Sequence, residues 1–399
     1  MRLSSKGLFY VLVLSYFFDG LNSVLLRTPG AYDRVSVFFR AGIEIYILIA
    51  FVFNEKFQRQ FVFILVLCVL FIVGQASLSL TADRSNFLES FIIENKYLYF
   101  IFLSIAFIAV SNTKNFRADI SKAMNVIFTL NNAAIILGLL FGLSVFASYY
   151  SIGMGDFRFG YKGLIPAQNE TSGVYFFGLA YYFREYFGRN NKRALPLLIS
   201  TIVAALFLGT KAGVFFTSVM LFYFLFKYRR KLSLYLLLPT LGVVMIIWGT
   251  EIYNYLVFRV FAFVSSFYFS QGMSLFTVLL MGRNELLVST AKWVFAHWTP
   301  LNYIAGGSLV FHSTEMDLFD GYLMMGIGFI FYLIYYIRIW VIRNHESDTL
   351  FLLSLFLVVS SLGGHMIYSA IVPAYMLSYA FLEQKAKKMK KLRPVKSNA

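Results

Sequence analysis

The sequence predicts an all-α, polytopic membrane protein with about twelve transmembrane helices and both termini in the cytoplasm. Three observations carry this. Of 399 residues, 59% are hydrophobic and only 14% charged, against about 45–50% and about 25% in soluble domains. The apolar residues come in repeated runs of about twenty, the helix length that matches a bilayer core. The runs do not alternate, as 101–110 and 243–248 illustrate, so a transmembrane barrel is disfavoured and each run must satisfy its own backbone as a helix.

Taken in order, the expected spans are 8–26, 35–53, 61–80, 91–110, 123–147, 171–187, 194–208, 212–226, 232–250, 318–340, 350–361 and 366–382. The last two meet at Gly363-Gly364, a tight-hairpin signal. The first run is long and lacks a small-residue cleavage pattern, so it reads as a span and not a signal peptide. The chain forms one integral domain over 1–399. It carries an outer loop at 148–170, a large outer segment at 251–317 with interfacial helices, and a basic tail at 383–399. Residues 256–280 are apolar enough to cross. A single crossing there would put the lysine-rich tail outside, so the segment reads as interfacial or re-entrant.

The orientation follows from Lys and Arg. With the N-terminus inside, 24 of the 35 basic residues fall on the cytoplasmic side, seven of them in the tail. The net charge of +16 is thereby explained by topology, with no nucleic-acid partner. The lone Cys68 excludes an intrachain disulfide and reads as packing. The four histidines show no metal spacing, and no metal or cofactor is expected.

Basic residues on the outer side have no topological role, so each is informative. They include Arg158, Lys162, Arg259, Arg283 and Lys292, with Lys211 at an outer turn. A single one can snorkel to headgroups; several converging would bind an anion, such as a lipid-linked pyrophosphate. Arg158-Phe-Gly-Tyr-Lys162-Gly leads through Gln168-Asn169-Glu170 into a helix. Its glycines allow close backbone approach to a ligand, and Asn169 is either a ligand contact or the helix cap. Gly282-Arg283-Asn284-Glu285 follows, Glu285 pairing with Arg283 or capping, with Trp293 and Trp298 as interfacial anchors. The third cluster is His312-Ser-Thr314-Glu315-Met-Asp317-Leu-Phe-Asp320. Thr314 and Asp317 can cap. Asp320 sits in the first turns of an apolar span, where an acid is a functional candidate. His312 or Glu315 could act as general base on a hydroxyl. Elsewhere mid-span charge is sparse, Glu44 with Arg40 as its partner being the clearest.

In this order the pieces resemble the O-antigen polymerase and O-antigen ligase superfamily (Wzy-type polymerases, WaaL-type ligases). The resemblance covers mainly 158–330. It rests on Arg158-Phe-Gly before Gln168-Asn169-Glu170, Leu208-Gly-Thr-Lys211-Ala-Gly213, Gly282-Arg283, and Glu315-x-Asp317-x-x-Asp320 leading to Gly326-Ile-Gly328. It implies glycan transfer from undecaprenyl pyrophosphate to an acceptor hydroxyl at the periplasmic face of the inner membrane. It further implies a flippase and a chain-length regulator as partners. Arg158, Lys211 and Arg283 match the family's pyrophosphate-holding cations, with Lys162 and Asn169 beside them. Glu315, His312, Asp317 and Asp320 are the catalytic candidates. The family commonly has Ser-Arg-Gly where this chain has Thr210-Lys211-Ala212, which keeps the charge but not a bidentate fork. Ligases typically follow the loop His with Asn; here Ser313 and an acidic run follow His312, which favours a polymerase. An O-antigen ligase and a lipid-linked sugar flippase are the alternatives.

Overall fold

The computed structural model describes residues 3–27, 34–81, 87–148, 160–228, 277, 282–307, 313–343 and 348–392. Among them the chain is helical and forms no strand, only an isolated antiparallel bridge between Ala147 and Tyr161. The helices are α1 (Ser5–Leu25), α2 (Val35–Phe51), α3 (Gln58–Leu78), α4 (Phe87–Val110), α5 (Phe116–Phe141), α6 (Gln168–Phe183), α7 (Leu195–Leu206) and α8 (Lys211–Lys227). After residue 282 come α9 (Arg283–His297), α10 (Pro300–Ala305), α11 (Asp317–Met325), α12 (Ile327–Arg343), α13 (Thr349–Gly363) and α14 (Val372–Leu392).

Four helical stretches are long and apolar enough to cross a membrane: Ser5–Leu25, Glu55–Leu78, Phe87–Val110 and Phe116–Phe141. Two shorter apolar stretches, Ile327–Val341 and Thr349–Gly363, accompany them. Phe17, Phe38, Ile49, Leu65 and Phe222 are each more than half exposed on helix sides. Such a belt suits an apolar solvent and would be an aggregation surface in water. Inside it, α6 is buried along nearly its whole length and packs against α7, α8 and α14.

Local chemistry sets the ends. Ser4 caps α1, its Oγ accepting from Gly7 N at 3.0 Å. Thr210 does the same for α8 through Gly213 N at 3.0 Å. The expected span 123–147 is displaced: α5 begins at Phe116 and stops at Gly142, whose φ of +62° ends the helix. The expected single span 318–340 is two helices, broken at Gly326, which has φ +55°. The expected Gly363-Gly364 hairpin is an eight-residue connection, 364–371, between α13 and α14. Expected span 232–250 and the ambiguous 256–280 lie outside the described residues apart from Thr277.

Two devices fix the bundle. The first is a glycine lock. A Cβ on Gly74 of α3 would stand 2.6 Å from the Gly306 carbonyl oxygen, one on Gly306 2.2 Å from that of Met324, and one on Gly326 2.3 Å from that of Ile304. Backbones therefore touch where no side chain fits. Asn302 stitches the contact, its Nδ2 donating to the carbonyls of Gly74 (2.9 Å) and Gly306 (2.8 Å) while its Oδ1 accepts from Ser77 Oγ (3.0 Å). Trp298, expected as an interfacial anchor, packs instead into a small core with Leu78 and Val294.

The second device is a buried ionic network at the bundle end that holds the α4–α5 and α6–α7 connections. Arg184, in a π-helical segment (Arg184–Gly188) continuing α6, pairs with Glu383 of α14 at 3.2 Å and with Asp348 at 3.7 Å. Arg189 reaches Glu383 at 2.9 Å, Arg117 reaches Glu185 at 3.0 Å, and Lys227 pairs with Asp348. Five separate stretches of chain are tied by this set.

Candidate functional site

The other end of the bundle gathers the α1–α2, α5–α6, α7–α8 and α13–α14 connections. It is built from the backbone outward. Asn131 of α5 accepts Leu164 N (2.9 Å) and Tyr16 Oη (3.2 Å) on its Oδ1, holding the turn at Gly163. A Cβ on Gly163, where φ is +68°, would lie 2.4 Å from that same oxygen. Here the glycine admits the Asn131 side chain; the expected close approach of a ligand is taken up by the protein itself. Tyr161 N donates to Phe207 O (2.8 Å) and Lys162 N to Phe146 O (2.9 Å), so residues 160–163 are wedged between two other connections.

Lys162 is thereby buried, its ammonium donating to the Pro166 carbonyl. Burial and the nearby Arg27 cation push its pKa down to about 8, against the pull of Glu170. Glu170 lies in the first turn of α6 and accepts from Ser369 Oγ at 3.0 Å. Asn169 is the second residue of that helix; the cap position belongs to Ala167, so Asn169 is not the cap. Lys211 opens α8 and is exposed. Its neighbour Ala212 packs toward Gly363, 3.6 Å from the position of a Cβ there.

Arg283 does not pair with Glu285. It reaches across to Glu315 at 3.3 Å and donates to the carbonyls of Leu362 and Gly363. Glu315 is half exposed and sits at φ +55°, facing Gly364 at φ +63° and His365 at φ +63°. Left-handed backbone at non-glycine residues is uncommon and costs about 1–3 kcal/mol each, and it concentrates at functional sites. Here Glu315 abuts the glycine that precedes His365: a Cβ on Gly364 would stand 2.3 Å from the Glu315 carbonyl oxygen.

Asp317 and Asp320 hold these loops in place, and both are fully buried. Asp317 Oδ2 accepts from Met366 N (2.8 Å) and Ile367 N (2.6 Å), fixing the turn after His365. Asp320 accepts from Thr314 N (2.7 Å), Thr314 Oγ1 (2.7 Å) and Ser313 Oγ (2.9 Å), fixing the strained Glu315 segment. The cap of α11 is Met316, without a side-chain bond, and not Thr314 or Asp317.

The α13–α14 connection completes the site. His365 contacts the Tyr368 hydroxyl through its ring nitrogens. Burial and the Lys96 ammonium lower its pKa, while Glu170, Asp320 and Glu315 pull the other way. Lys96 of α4 stands over the Tyr368 ring, 5.5 Å from its centroid. Thus Glu170, Glu315, Lys96, His365 and Tyr368 share one electrostatic neighbourhood, with Lys162 on the Glu170 side and Arg283 on the Glu315 side. Arg158 and His312 lie outside the described residues. Among the described residues no three His, Cys, Asp or Glu side chains are grouped to hold a metal ion.

Sequence reasoning passed over Lys96, His365, Tyr368 and Asp19. The signal for Lys96 was present: Glu94-Asn95-Lys96 interrupts an apolar run, and charge inside a span is functional by default. The Glu44–Arg40 pair is corrected. Arg40 pairs with Asp19 of α1, and Glu44 accepts from Asn95 Nδ2 at 3.1 Å. A comparison of the chain with protein families, curated proteins and solved structures found no match.

The Lys162 environment gives a testable pH dependence. Between about 8 and the unfolded lysine value of about 10.4, the unfolded chain holds a proton that the folded chain has released. Stability therefore rises with pH across that window. The same window removes the Lys162 cation from this end of the bundle. Thermal unfolding of wild type and Lys162→Met from pH 7 to 10.5 checks the first effect: the rise should be smaller in the variant, and identical profiles would refute it.

Proposed function

We propose that the chain is a polymerase of lipid-linked oligosaccharide repeat units, transferring glycan from undecaprenyl pyrophosphate to an acceptor sugar hydroxyl. On this proposal it crosses the inner membrane about twelve times with both termini in the cytoplasm, and the end bearing Glu170, Arg283 and Glu315 faces the periplasm. The observation that carries the proposal is the convergence of Arg283, Glu315, Glu170, Lys162 and Lys96 from widely separated parts of the chain at one bundle end. Cations set among acids suit a reaction that moves a proton from a hydroxyl and expels a pyrophosphate.

In the proposed step Glu315, or His312, takes the acceptor proton as the acceptor oxygen forms the new glycosidic bond. The bond from the anomeric carbon to the phosphate oxygen breaks, and the lipid pyrophosphate leaves with its charge balanced by Arg158, Lys162, Lys211 and Arg283. Asp317 and Asp320 position the loops that present Glu315. Asn169, on the first turn of α6, is assigned to substrate contact. A flippase supplies the lipid-linked repeat and a chain-length regulator works beside the enzyme.

Deletion of the gene with analysis of surface polysaccharide tests the proposal. A single repeat on lipid A supports a polymerase. Polymer left on its lipid carrier with none on lipid A points instead to an O-antigen ligase. Repeats accumulating on the cytoplasmic side overturn both in favour of a flippase.

A further inference from the structure

The interface of α4, α11 and α12 buries a set of polar groups that the proposed transfer does not use. Glu94 is 1% exposed, and neither carboxyl oxygen has a hydrogen-bond partner among the described residues. The hydroxyls of Tyr97, Tyr332 and Tyr336, all fully buried, are likewise unpartnered there, as is Oδ1 of Asp317. These are neighbours. The Tyr97 and Tyr332 rings are 5.0 Å apart edge to face, Tyr332 and Tyr336 are 6.2 Å apart, and Tyr97 is 6.0 Å from Tyr368 at the candidate site. Glu94 acts electrostatically on Tyr97 and Tyr332, and Asp317 on Tyr97, Tyr332 and Tyr336.

A buried polar group without a partner is costly, and a native fold satisfies nearly all of them through protein or ordered water. Five together at one interface exceed what a marginally stable fold tolerates dry. They share no complementary protein group among the described residues, and an internal water takes two to four polar partners of the kind that hydroxyls and carboxyls supply. Glu94 also lines an apolar cleft of about 120 Å³ between α3 and α4, walled by Cys68, Phe71, Ile72, Phe87 and Phe91. An ionised carboxylate there would be unpaired beside hydrocarbon, which favours its neutral form.

We infer that Glu94 is a proton-carrying carboxylic acid, joined through hydrated Tyr97, Tyr332 and Tyr336 to Asp317 at the candidate site. The ligand class of this interface is water and a proton. Such a path stores or returns a proton at the site. This role holds whichever sugar, or none, is transferred.

Dicyclohexylcarbodiimide provides the test on the full chain in detergent. It reacts with protonated carboxylic acids and partitions into apolar clefts. The acid gives its proton to a carbodiimide nitrogen, its oxygen adds to the central carbon, and rearrangement leaves an N-acylurea on the side chain. Peptide mass spectrometry should find this adduct on Glu94, and the same peptide of the Glu94→Gln variant should carry none; an unmodified Glu94 overturns the inference. Hydration is tested separately with Tyr332→Phe and Tyr336→Phe. If the hydroxyls bind water, each substitution lowers Tm by a few degrees. A rise in Tm, or no change, means a dry hydroxyl was removed and overturns the path.

Discussion

On the proposed function, Arg283→Ala is expected to cut polymer output by about 10²–10³-fold, the usual loss on removing one positioned donor from a site of developing negative charge. The guanidinium bridges the carboxylate of Glu315 and the carbonyls of Leu362 and Gly363. It joins the start of α9 to the strained segment before α11 and to the end of α13. Two roles are thereby combined, and they separate experimentally. If Arg283 holds charge, Arg283→Lys retains part of the activity, and both variants unfold near the wild-type temperature. If it only braces the loops, Tm falls with activity and lysine rescues neither. Polymer length and amount in a complemented deletion strain provide the readout, and unchanged polymer in Arg283→Ala removes the residue from the site.

Arg184→Ala should destabilise the fold by about 1–3 kcal/mol, the cost of taking one of two partners from each of two buried carboxylates. Its side chain is 5% exposed, and those of Glu383 and Asp348 are 5% and 2% exposed. Removing Arg184 strands part of both carboxylates in the bundle interior. Glu383 keeps Arg189 and Asp348 keeps Lys227, so the double change Arg184→Ala/Glu383→Gln should cost less than the sum of the two. Thermal and urea unfolding in detergent measure this. A loss for Arg184→Ala below about 0.5 kcal/mol, typical of a surface position, would show that the network does not bear on stability.

Much of the fold was legible because apolar runs and caps are local. The helices of residues 5–227 follow from run length, and Ser4 and Thr210, which cap α1 and α8, are residue types that favour that position. The break at Gly326 was hidden because flanking residues stay apolar through it; only contact with the 300–306 segment forces the positive φ. The site was legible in part. Arg283 and Glu315 stood out as rare charges in outer segments, and they meet. What a single sequence does not hold is which distant group answers each charge. Arg40 finds Asp19 and not Glu44 one turn away, because α1 packs against α2 with its acid facing that helix. Asp317 and Asp320 looked like reactive acids on one helix face, yet Asp317 is occupied by the amides of Met366 and Ile367, which only the folded bundle brings near, and Asp320 by Ser313 and Thr314 just before it. His365 carried no local signal beyond the two glycines before it.

The glycine lock has a consequence for the order of assembly. Gly74 and Asn302 are 228 residues apart, and the contact is complete only when residues through Gly326 have been made. At about 5–20 residues per second, α3 waits on the order of ten seconds or more after its synthesis before its partner exists. Until then Ser77 on α3 lacks Thr299 and Asn302, its hydrogen-bond partners in the folded chain, and the uncovered α3 face is a handle for chaperones and proteases. Chains truncated before residue 326 should be cleared by quality control, whereas those that pass it close the α3 contact, and the Glu315 loop closes later, once Gly364, Met366 and Ile367 have been made.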